Sequence, residues 1–178
     1  MQVLRYENTH EEILAETQAP KIFLAGPTVR AHQTHLKSWR TEALDLLEKA
    51  NFNGTVIIPE FLVRNESNLE KGLIPIWEFT ALKEVDCIMF WISRTQEMMG
   101  LTTNYELGYW VAREREKVIY GRPDDAYRIS YPDIMWKEAA DPGESTTIYN
   151  TLEDTVKASM DLASRRYILR SLNDVDYS

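Results

Sequence analysis

Glu106 is the side chain whose type and setting best fit a chemical role. It follows an apolar run at residues 87–92 that is rich in aromatic and β-favouring residues, a pattern typical of a strand buried on both faces. After a loop, a helix is predicted to begin at Thr102 or Thr103, which places Glu106 in its first turn. Ligands of open α/β sheets bind beside the carboxyl ends of the strands. We therefore expect the Glu106 carboxylate to reach a bound small molecule.

A structural role for Glu106 stays open at this point. Thr103 and Glu106 have the spacing of a capping box, in which the two side chains satisfy exposed backbone N–H groups at a helix start. The two roles are compatible, because a helix N-terminus stabilises a carboxylate through its dipole and free N–H groups. We accordingly expect Glu106 to be ionised at neutral pH.

Glu78 is a second acid in an unusual setting. A helix is predicted over residues 74–85, with an apolar stripe that includes Trp77, Ala81 and Val85, and Glu78 falls inside that stripe. An unpaired carboxylate pressed toward a core is costly, so Glu78 has a partner, faces a cavity, or lies partly exposed at the edge of the stripe. Desolvation would raise its pKa and suit it to donate a proton.

The composition limits the classes of partner. The chain has 178 residues, of which 44% are hydrophobic, so it can bury one good core. A net charge of −8 argues against a nucleic acid polymer, because there is no basic field to collect phosphates. No apolar run approaches the roughly 20 residues of a membrane span, and the N-terminus lacks a signal-peptide pattern. We predict a soluble, cytoplasmic protein.

Metal and thiol chemistry find little support in the sequence. The single cysteine, Cys87, lies inside the apolar run and is expected to be part of the core. The histidines show no ligand grouping with cysteine, and they are His10, His32 and His35. We predict no metal and no cofactor.

Strands and helices alternate along the chain. Strands are predicted at residues 21–25, 55–58, 87–92 and 117–120, with helices at 34–50, 74–85 and 102–116 between them. This order implies right-handed crossovers and a parallel, three-layer sheet. Short strands at 3–6 and 146–149 would extend the sheet, Thr151 would cap a last helix, and a polar loop at 64–71 is long enough to fold over a site. We expect one domain over residues 1–178, with its core at 21–125 and a C-terminal helical extension at 126–178.

Four short segments occur in order along the chain. They are Phe23-Leu24-Ala25-Gly26-Pro27, Ser38-Trp39-Arg40, Trp77-Glu78 eight residues before Asp86, and Thr102-Thr103-Asn104-Tyr105-Glu106-Leu107-Gly108. Together, over about residues 21–125, they resemble the nucleoside 2-deoxyribosyltransferase superfamily, and most closely its nucleoside 2-deoxyribosyltransferase-like branch. The resemblance implies a flavodoxin-like three-layer sandwich with a parallel sheet of four to five strands. It also implies chemistry at the N-glycosidic bond to C1′ of a deoxyribose.

The resemblance assigns roles to individual residues. Glu106 matches the nucleophile, and Glu78 falls where the family usually has an aspartate that contacts the base or supports the nucleophile. The turn Ala25-Gly26-Pro27 matches the loop that lines the nucleoside site, whereas an aspartate that helps bind the sugar in many members is replaced here by Gly100. Further substrate contacts are expected from the neighbours of the two acids: Thr103 and Asn104 on the sugar hydroxyls, and Tyr105 or Trp77 on the base.

Three functional hypotheses follow from this resemblance. The first is a 2-deoxyribosyltransferase that exchanges bases between deoxynucleosides through a covalent ester on Glu106, with Glu78 as the acid. The second is an N-glycoside hydrolase of nucleotides, with Arg30, Arg94 or Arg122 on a phosphate. The third is a non-catalytic nucleotide-binding module. In each case the partner is a small nucleoside or nucleotide, with a free nucleobase in the first two, and the resemblance implies a homo-oligomer in which a neighbour completes the pocket.

Overall fold

The computed structural model describes residues 1–15, 18–30, 32–33, 35–62 and 73–175. The loop predicted at 64–71 lies outside the described residues. The strands are β1 (Gln2–Leu4), β2 (Lys21–Ala25), β3 (Thr55–Ile57), β4 (Cys87–Trp91) and β5 (Val118–Gly121). The helices are α1 (His10–Leu14), α2 (Trp39–Lys49), α3 (Leu73–Glu84), α4 (Leu101–Glu114), α5 (Ser130–Glu138) and α6 (Leu152–Val175).

The five strands form one parallel sheet in the order β1-β3-β2-β4-β5. All five residues of β2 and of β4 are buried, as expected for strands covered on both faces. The parallel, three-layer α/β architecture predicted from the alternation is confirmed, as is the flavodoxin-like fold that the resemblance implies. The short N-terminal strand β1 supplies one edge of the sheet.

The strand predicted at residues 146–149 is wrong. Only Tyr149 meets the sheet, through an isolated bridge to Gly121 beside the end of β5. Residues 146 and 147 are exposed, so an apolar strand face is lacking there. Helix α6 then begins at Leu152, with the predicted cap at Thr151, whose Oγ1 accepts a hydrogen bond from the backbone N–H of Asp154 at 3.1 Å.

Two hydrophobic layers sandwich the sheet. One lies between the sheet and helices α1, α3, α4 and α5, and includes Ile13, Trp77, Leu107, Trp110 and Trp136. The other lies under α2 and α6 and includes Trp39, Leu47, Val156 and the buried thiol of Cys87. Within the described part of the chain, no helix combines the length and the apolar character that crossing a membrane requires.

The order in which the chain adds strands to the sheet reverses at β2. The chain passes from β2 to β3 on one side, and then from β3 to β4 on the other side of β2. The crevice at the carboxyl ends of β2 and β4 is therefore the topological switch point, where ligands of such sheets bind. Gly26 ends β2 here, and a Cβ on it would lie 2.4 Å from the backbone oxygen of Trp91. Only glycine allows the loop after β2 to approach the end of β4 so closely.

Candidate active site

Glu106 lies in the second turn of α4, not the first. The helix begins at Leu101, because its N-cap Gly100 takes a left-handed conformation (φ +54°) that lets the chain turn into the helix early. The predicted capping box of Thr103 and Glu106 is therefore wrong. Thr103 is buried, and Glu106 is too far along the helix for the free N–H groups at its start to stabilise a negative charge.

Glu106 and Glu78 face the same cavity. It has a volume of about 480 Å³ and lies between α3 and α4. Most of its wall is apolar or aromatic, and its lining residues are Pro75, Ile76, Glu78, Phe79, Thr80, Leu82, Thr102, Tyr105, Glu106, Tyr109 and Trp110. The expectation that Glu78 has a partner or faces a cavity is met on both counts, because it also accepts a hydrogen bond from Tyr6.

Tyr6 is a site residue that the sequence did not reveal. It follows the edge strand β1, and its hydroxyl donates to the Glu78 carboxylate. Its ring packs against Phe61 at 4.9 Å and edge-on against Trp77 at 5.0 Å between ring centroids. The indole N–H of Trp77 in turn donates to the backbone oxygen of Asn8 at 2.9 Å. No local pattern marks Tyr6, since its role depends on β1 pairing with β3.

Arg40 is the second residue without a predicted role. It lies in the first turn of α2, where it is almost fully buried, and its guanidinium donates to Glu60 at 2.8 Å. Its other hydrogen bonds run to Leu24 in β2 and to Gly26, Pro27 and Thr28 just after it. These residues include part of the turn predicted to line a nucleoside site. The sequence singles out Arg40 only as part of the Ser38-Trp39-Arg40 segment and predicts no role for its side chain.

The two acids hold their protons more tightly than free carboxyl groups. Burial, followed by the negative charge of Glu78, raises the pKa of Glu106 to about 8, while the charge of Arg40 opposes this rise. Burial also raises the pKa of Glu78, against the lowering effects of the Tyr6 hydrogen bond and of Arg40. The raised pKa of Glu106 runs against the expectation that its carboxyl group is ionised at neutral pH.

The other predicted contact residues divide into three groups. Tyr105 lines the cavity and is 77% exposed. Ala25 ends β2 and Gly26 and Pro27 follow it at the switch point, but none of the three belongs to the lining of the cavity. Trp77 and Thr103 are buried and Asn104 is directed elsewhere, so none of the three belongs to the cavity wall.

The predicted phosphate-binding arginines are engaged away from the cavity. Arg94 is buried and donates to the side-chain oxygen of Asn104 and to the backbone oxygen of Arg128. Arg122 forms an ion pair with Asp133 at 2.9 Å, and Arg30 is exposed on the loop after β2. The described lining of the cavity contains no lysine, arginine or histidine. Across the described residues, no group of three histidine, cysteine or acidic side chains is arranged to hold a metal ion.

Comparison with known protein families matches residues 19–124 to the family described as nucleoside 2-deoxyribosyltransferase like. The chain belongs to this family. No curated protein shows significant similarity to it. Membership of the nucleoside 2-deoxyribosyltransferase like family implies an enzyme of that kind, with nucleosides and nucleobases as substrates. The matched range contains Arg40, Glu60, Glu78 and Glu106, whereas Tyr6 precedes it.

Proposed function

We propose that the protein transfers a 2-deoxyribosyl group from one nucleobase to another through an ester on Glu106. The observation that carries the proposal is the placement of two half-buried acids, each with a raised pKa, on one largely apolar and aromatic cavity between α3 and α4. Two carboxyl groups of unlike environment are what nucleophilic displacement at a sugar carbon requires. Family membership supplies the substrate class.

In the first half of the reaction, a Glu106 oxygen forms a bond to C1′ while the bond from C1′ to the base nitrogen breaks. The electron pair of the broken bond leaves with the base, and Glu78 donates the proton that the base nitrogen accepts. In the second half, a nitrogen of the incoming base attacks C1′, the ester oxygen leaves as the Glu106 carboxylate, and the lost proton returns to Glu78. Two displacements give net retention at C1′.

The proposed reaction needs one proton on the pair of acids, and this proton has to reside on Glu78 when the bond breaks. Positive charge develops on the sugar in an oxocarbenium-like transition state, and this charge favours the anionic form of the nearer carboxyl group, Glu106. Both acids face the cavity, so one proton can serve either of them. Burial raises the pKa of Glu78, which suits this side chain to act as a proton donor.

The cavity supports a nucleoside in preference to a nucleotide. A phosphate group placed among the described lining residues would meet two acids and no positive side chain. The rings of Phe79, Tyr105, Tyr109 and Trp110 offer flat apolar surface to a base, and the predominantly apolar wall disfavours water as the acceptor. These features favour transfer over hydrolysis.

The assay is incubation of the protein with a deoxynucleoside and a different free base. A transferase forms the new nucleoside, a hydrolase releases free deoxyribose, and a binding module leaves both compounds unchanged. Intact-protein mass spectrometry after mixing with a deoxynucleoside alone should show an adduct with the mass of one deoxyribosyl group, which is absent from Glu106→Gln. Glu42→Gln, an exposed change on α2, is the matched control and should form the adduct normally. Turnover by Glu106→Gln at the wild-type rate would refute the assignment.

We further propose that a second copy of the chain packs over the mouth of the cavity. Large apolar side chains of α3 and α4 are exposed around it, and they are Leu73, Ile76, Phe79, Leu101 and Tyr105. Sedimentation velocity should give a dimer or a larger assembly that Ile76→Glu weakens, whereas Leu169→Glu on the distant end of α6 should not weaken it. A monomeric wild type would contradict the proposal. We assign the protein to the cytoplasm, with which its buried, unpaired thiol is compatible.

A further inference from the structure

The residues of α4 that line the cavity fall on one face of the helix. They are Thr102, Tyr105, Glu106, Tyr109 and Trp110, which recur at positions i, i+3, i+4, i+7 and i+8. Thr102 is the first of them and Glu106 follows it by one turn, so their Cβ atoms are about 5–6 Å apart. The nucleophile of the proposed reaction therefore has a neighbour with a hydroxyl group on the same face of the helix.

Helix geometry directs the Glu106 side chain toward the turn that contains Thr102. The Cα–Cβ bonds of an α-helix are tilted toward its N-terminus, and a long side chain lies over the turn before its own Cα. On the cavity face of α4, the turn before Glu106 begins with Thr102. A sugar carbon held by the Glu106 carboxyl group is therefore brought to the Thr102 side of the cavity.

The hydroxyl of Thr102 is available to a ligand. Thr102 is exposed on the cavity wall, and none of the residues that the structure describes forms a hydrogen bond with its hydroxyl. The two residues expected to bind the sugar are placed differently, because Thr103 is buried and the side chain of Asn104 accepts a hydrogen bond from Arg94. The sugar hydroxyls of a bound nucleoside therefore need another partner close to Glu106.

The other hydroxyl groups of the described cavity wall are less well placed for a sugar than that of Thr102. Thr80 lies on α3 two residues after Glu78, and residues two apart on a helix point to different sides. The hydroxyls of Tyr105 and Tyr109 are at the far ends of rings whose flat surfaces suit a base. Thr102 is the small hydroxyl side chain that shares a helix face with the nucleophile.

The start of α4 is packed against the segment after β2. A Cβ on Gly100, the left-handed N-cap of α4, would lie 2.8 Å from Cγ of Pro27. Position 100 therefore has no room for a side chain, and its packing fixes where the first turn of the helix begins. Thr102 lies in that turn. A polar group held on a rigid element can discriminate between ligands, because its position varies little.

We propose that Thr102 determines substrate specificity, and that its hydroxyl forms a hydrogen bond with a hydroxyl group of the 2-deoxyribose whose C1′ reacts at Glu106. This bond orients the sugar for attack and selects nucleosides that carry the hydroxyl group in question, on C3′ or on C5′. A neutral donor and acceptor suits a hydroxyl group, and the described lining offers no cation to a 5′-phosphate. The identity of the sugar rests on the proposed function.

Removal of one hydroxyl at a time, from the protein and from the substrate, tests this contact. Base-exchange rates are measured with a deoxynucleoside and with its 3′-deoxy and 5′-deoxy analogues. The wild type should lose about 5–50-fold in kcat/KM with one of the two analogues. Thr102→Val replaces the hydroxyl by a methyl group at an exposed position, so the variant should fold as the wild type does. It should lose about 5–50-fold with the full deoxynucleoside and little more with that same analogue.

Two further variants serve as controls. Thr102→Ser keeps the hydroxyl and should stay within about threefold of the wild-type rates. Thr41→Val, which removes an exposed hydroxyl from the first turn of α2, should alter none of the rates. A Thr102→Val protein that discriminates against both analogues as strongly as the wild type does overturns the proposal, as does one with wild-type kcat/KM for the full deoxynucleoside.

Equilibrium binding distinguishes a failure of this inference from a failure of the proposed function. In Glu106→Gln, which cannot form the ester, calorimetry gives the Kd of 2′-deoxyadenosine, of thymidine and of their 3′-deoxy and 5′-deoxy analogues. Adding Thr102→Val should weaken binding of the full deoxynucleosides by about 5–50-fold and leave binding of the sensitive analogue within about threefold. A wild type that exchanges no bases while its binding follows this pattern would refute the transferase and support the role of Thr102. Base exchange by the wild type with no effect of Thr102→Val on binding or rate would do the reverse.

Discussion

The hydroxyl of Tyr6 donates a hydrogen bond to the carboxylate of Glu78, 72 residues further along the chain. This contact ties the segment after the edge strand β1 to helix α3, and it distinguishes the two cavity acids. A donor to the charged form stabilises the Glu78 anion, whereas Glu106 faces the negative charge of Glu78. In the proposed reaction, one proton passes between these two carboxyl groups of unlike surroundings, and the following predictions depend on that proposal.

The pH dependence of kcat/KM should be bell-shaped. The reactive form carries one proton on the pair, so activity should fall above a pH of about 8, where Glu106 loses its proton in the free protein. It should fall again in acid, where both carboxyl groups are protonated. Initial rates of base exchange across pH 4–10 measure this. A rate that rises through pH 8 and stays level would show that no proton of the pair is needed.

Replacement of Glu78 by glutamine should remove the acid and one negative charge together. We expect kcat for an ordinary base to fall by about 10²–10⁴ and the alkaline limb near pH 8 to disappear, because the pKa of Glu106 falls without its charged neighbour. With a deoxynucleoside of 7-methylguanine as the substrate, kcat should fall much less, because this base leaves without needing a proton. Glu84→Gln, on the same helix, is the control. Equal losses for both substrates would argue against Glu78 as the proton donor.

Tyr6→Phe should shift the acid limb of the same pH profile to higher pH. The Glu78 carboxylate loses its hydrogen-bond donor, so its pKa rises and the doubly protonated pair persists to higher pH. The variant should also lose about 1–2 kcal/mol of unfolding free energy at neutral pH. Tyr131→Phe, an exposed change on α5, should alter neither property. An unshifted acid limb would indicate that Tyr6 only packs.

At alkaline pH, the Glu106→Gln variant should be more stable to unfolding than the wild type. The pKa of Glu106 is about 8 in the folded protein, against an ordinary value of 4.5, so its raised pKa favours the folded state at low pH. That contribution is complete below about pH 4.5 and is lost as pH rises through about 8. Urea unfolding at pH 9 should show the variant more stable than the wild type by roughly 1–3 kcal/mol, with little difference near pH 4.5. A variant less stable than the wild type at pH 9 would contradict the raised pKa of Glu106.

Two glycines of one segment should respond to alanine in opposite directions. Gly100 has φ +54°, and a Cβ there would lie 2.8 Å from Cγ of Pro27, so Gly100→Ala should cost about 1–3 kcal/mol and lower kcat/KM through the displaced loop. Gly108 lies exposed in α4, where an added Cβ meets no atom within 4 Å, so Gly108→Ala should gain about 0.5–1 kcal/mol. Urea unfolding and exchange rates of both variants check this, and a stable, fully active Gly100→Ala would refute the predicted strain.

The sheet and most helices could be predicted because their signals are local. Apolar runs and helical periodicity reveal β2 to β5 and the helices between them, and an acid inside an apolar stripe singled out Glu78. Local signals mislead at the start of α4, because a left-handed Gly100 begins the helix before the apparent threonine cap. Arg94 is predicted to bind a phosphate because of its guanidinium, and Asn104 to bind the sugar because it lies next to Glu106 in sequence. The structure instead joins the two to each other, outside the cavity wall. Tyr6, Arg40 and Glu60 were missed because strand pairing and loop packing bring them to the site.

The edge strand β1 lies outside the part of the chain that the family model matches. The family match starts at residue 19, so a fragment cut to the recognisable part would lack β1, the phenol that contacts Glu78, and the backbone oxygen of Asn8 that receives the Trp77 indole. Such a fragment would keep Glu78 and Glu106, but the pKa of Glu78 would be higher because the hydrogen bond from Tyr6 is lost. The unit that holds the contact between Tyr6 and Glu78 is therefore larger than the unit that the family match covers.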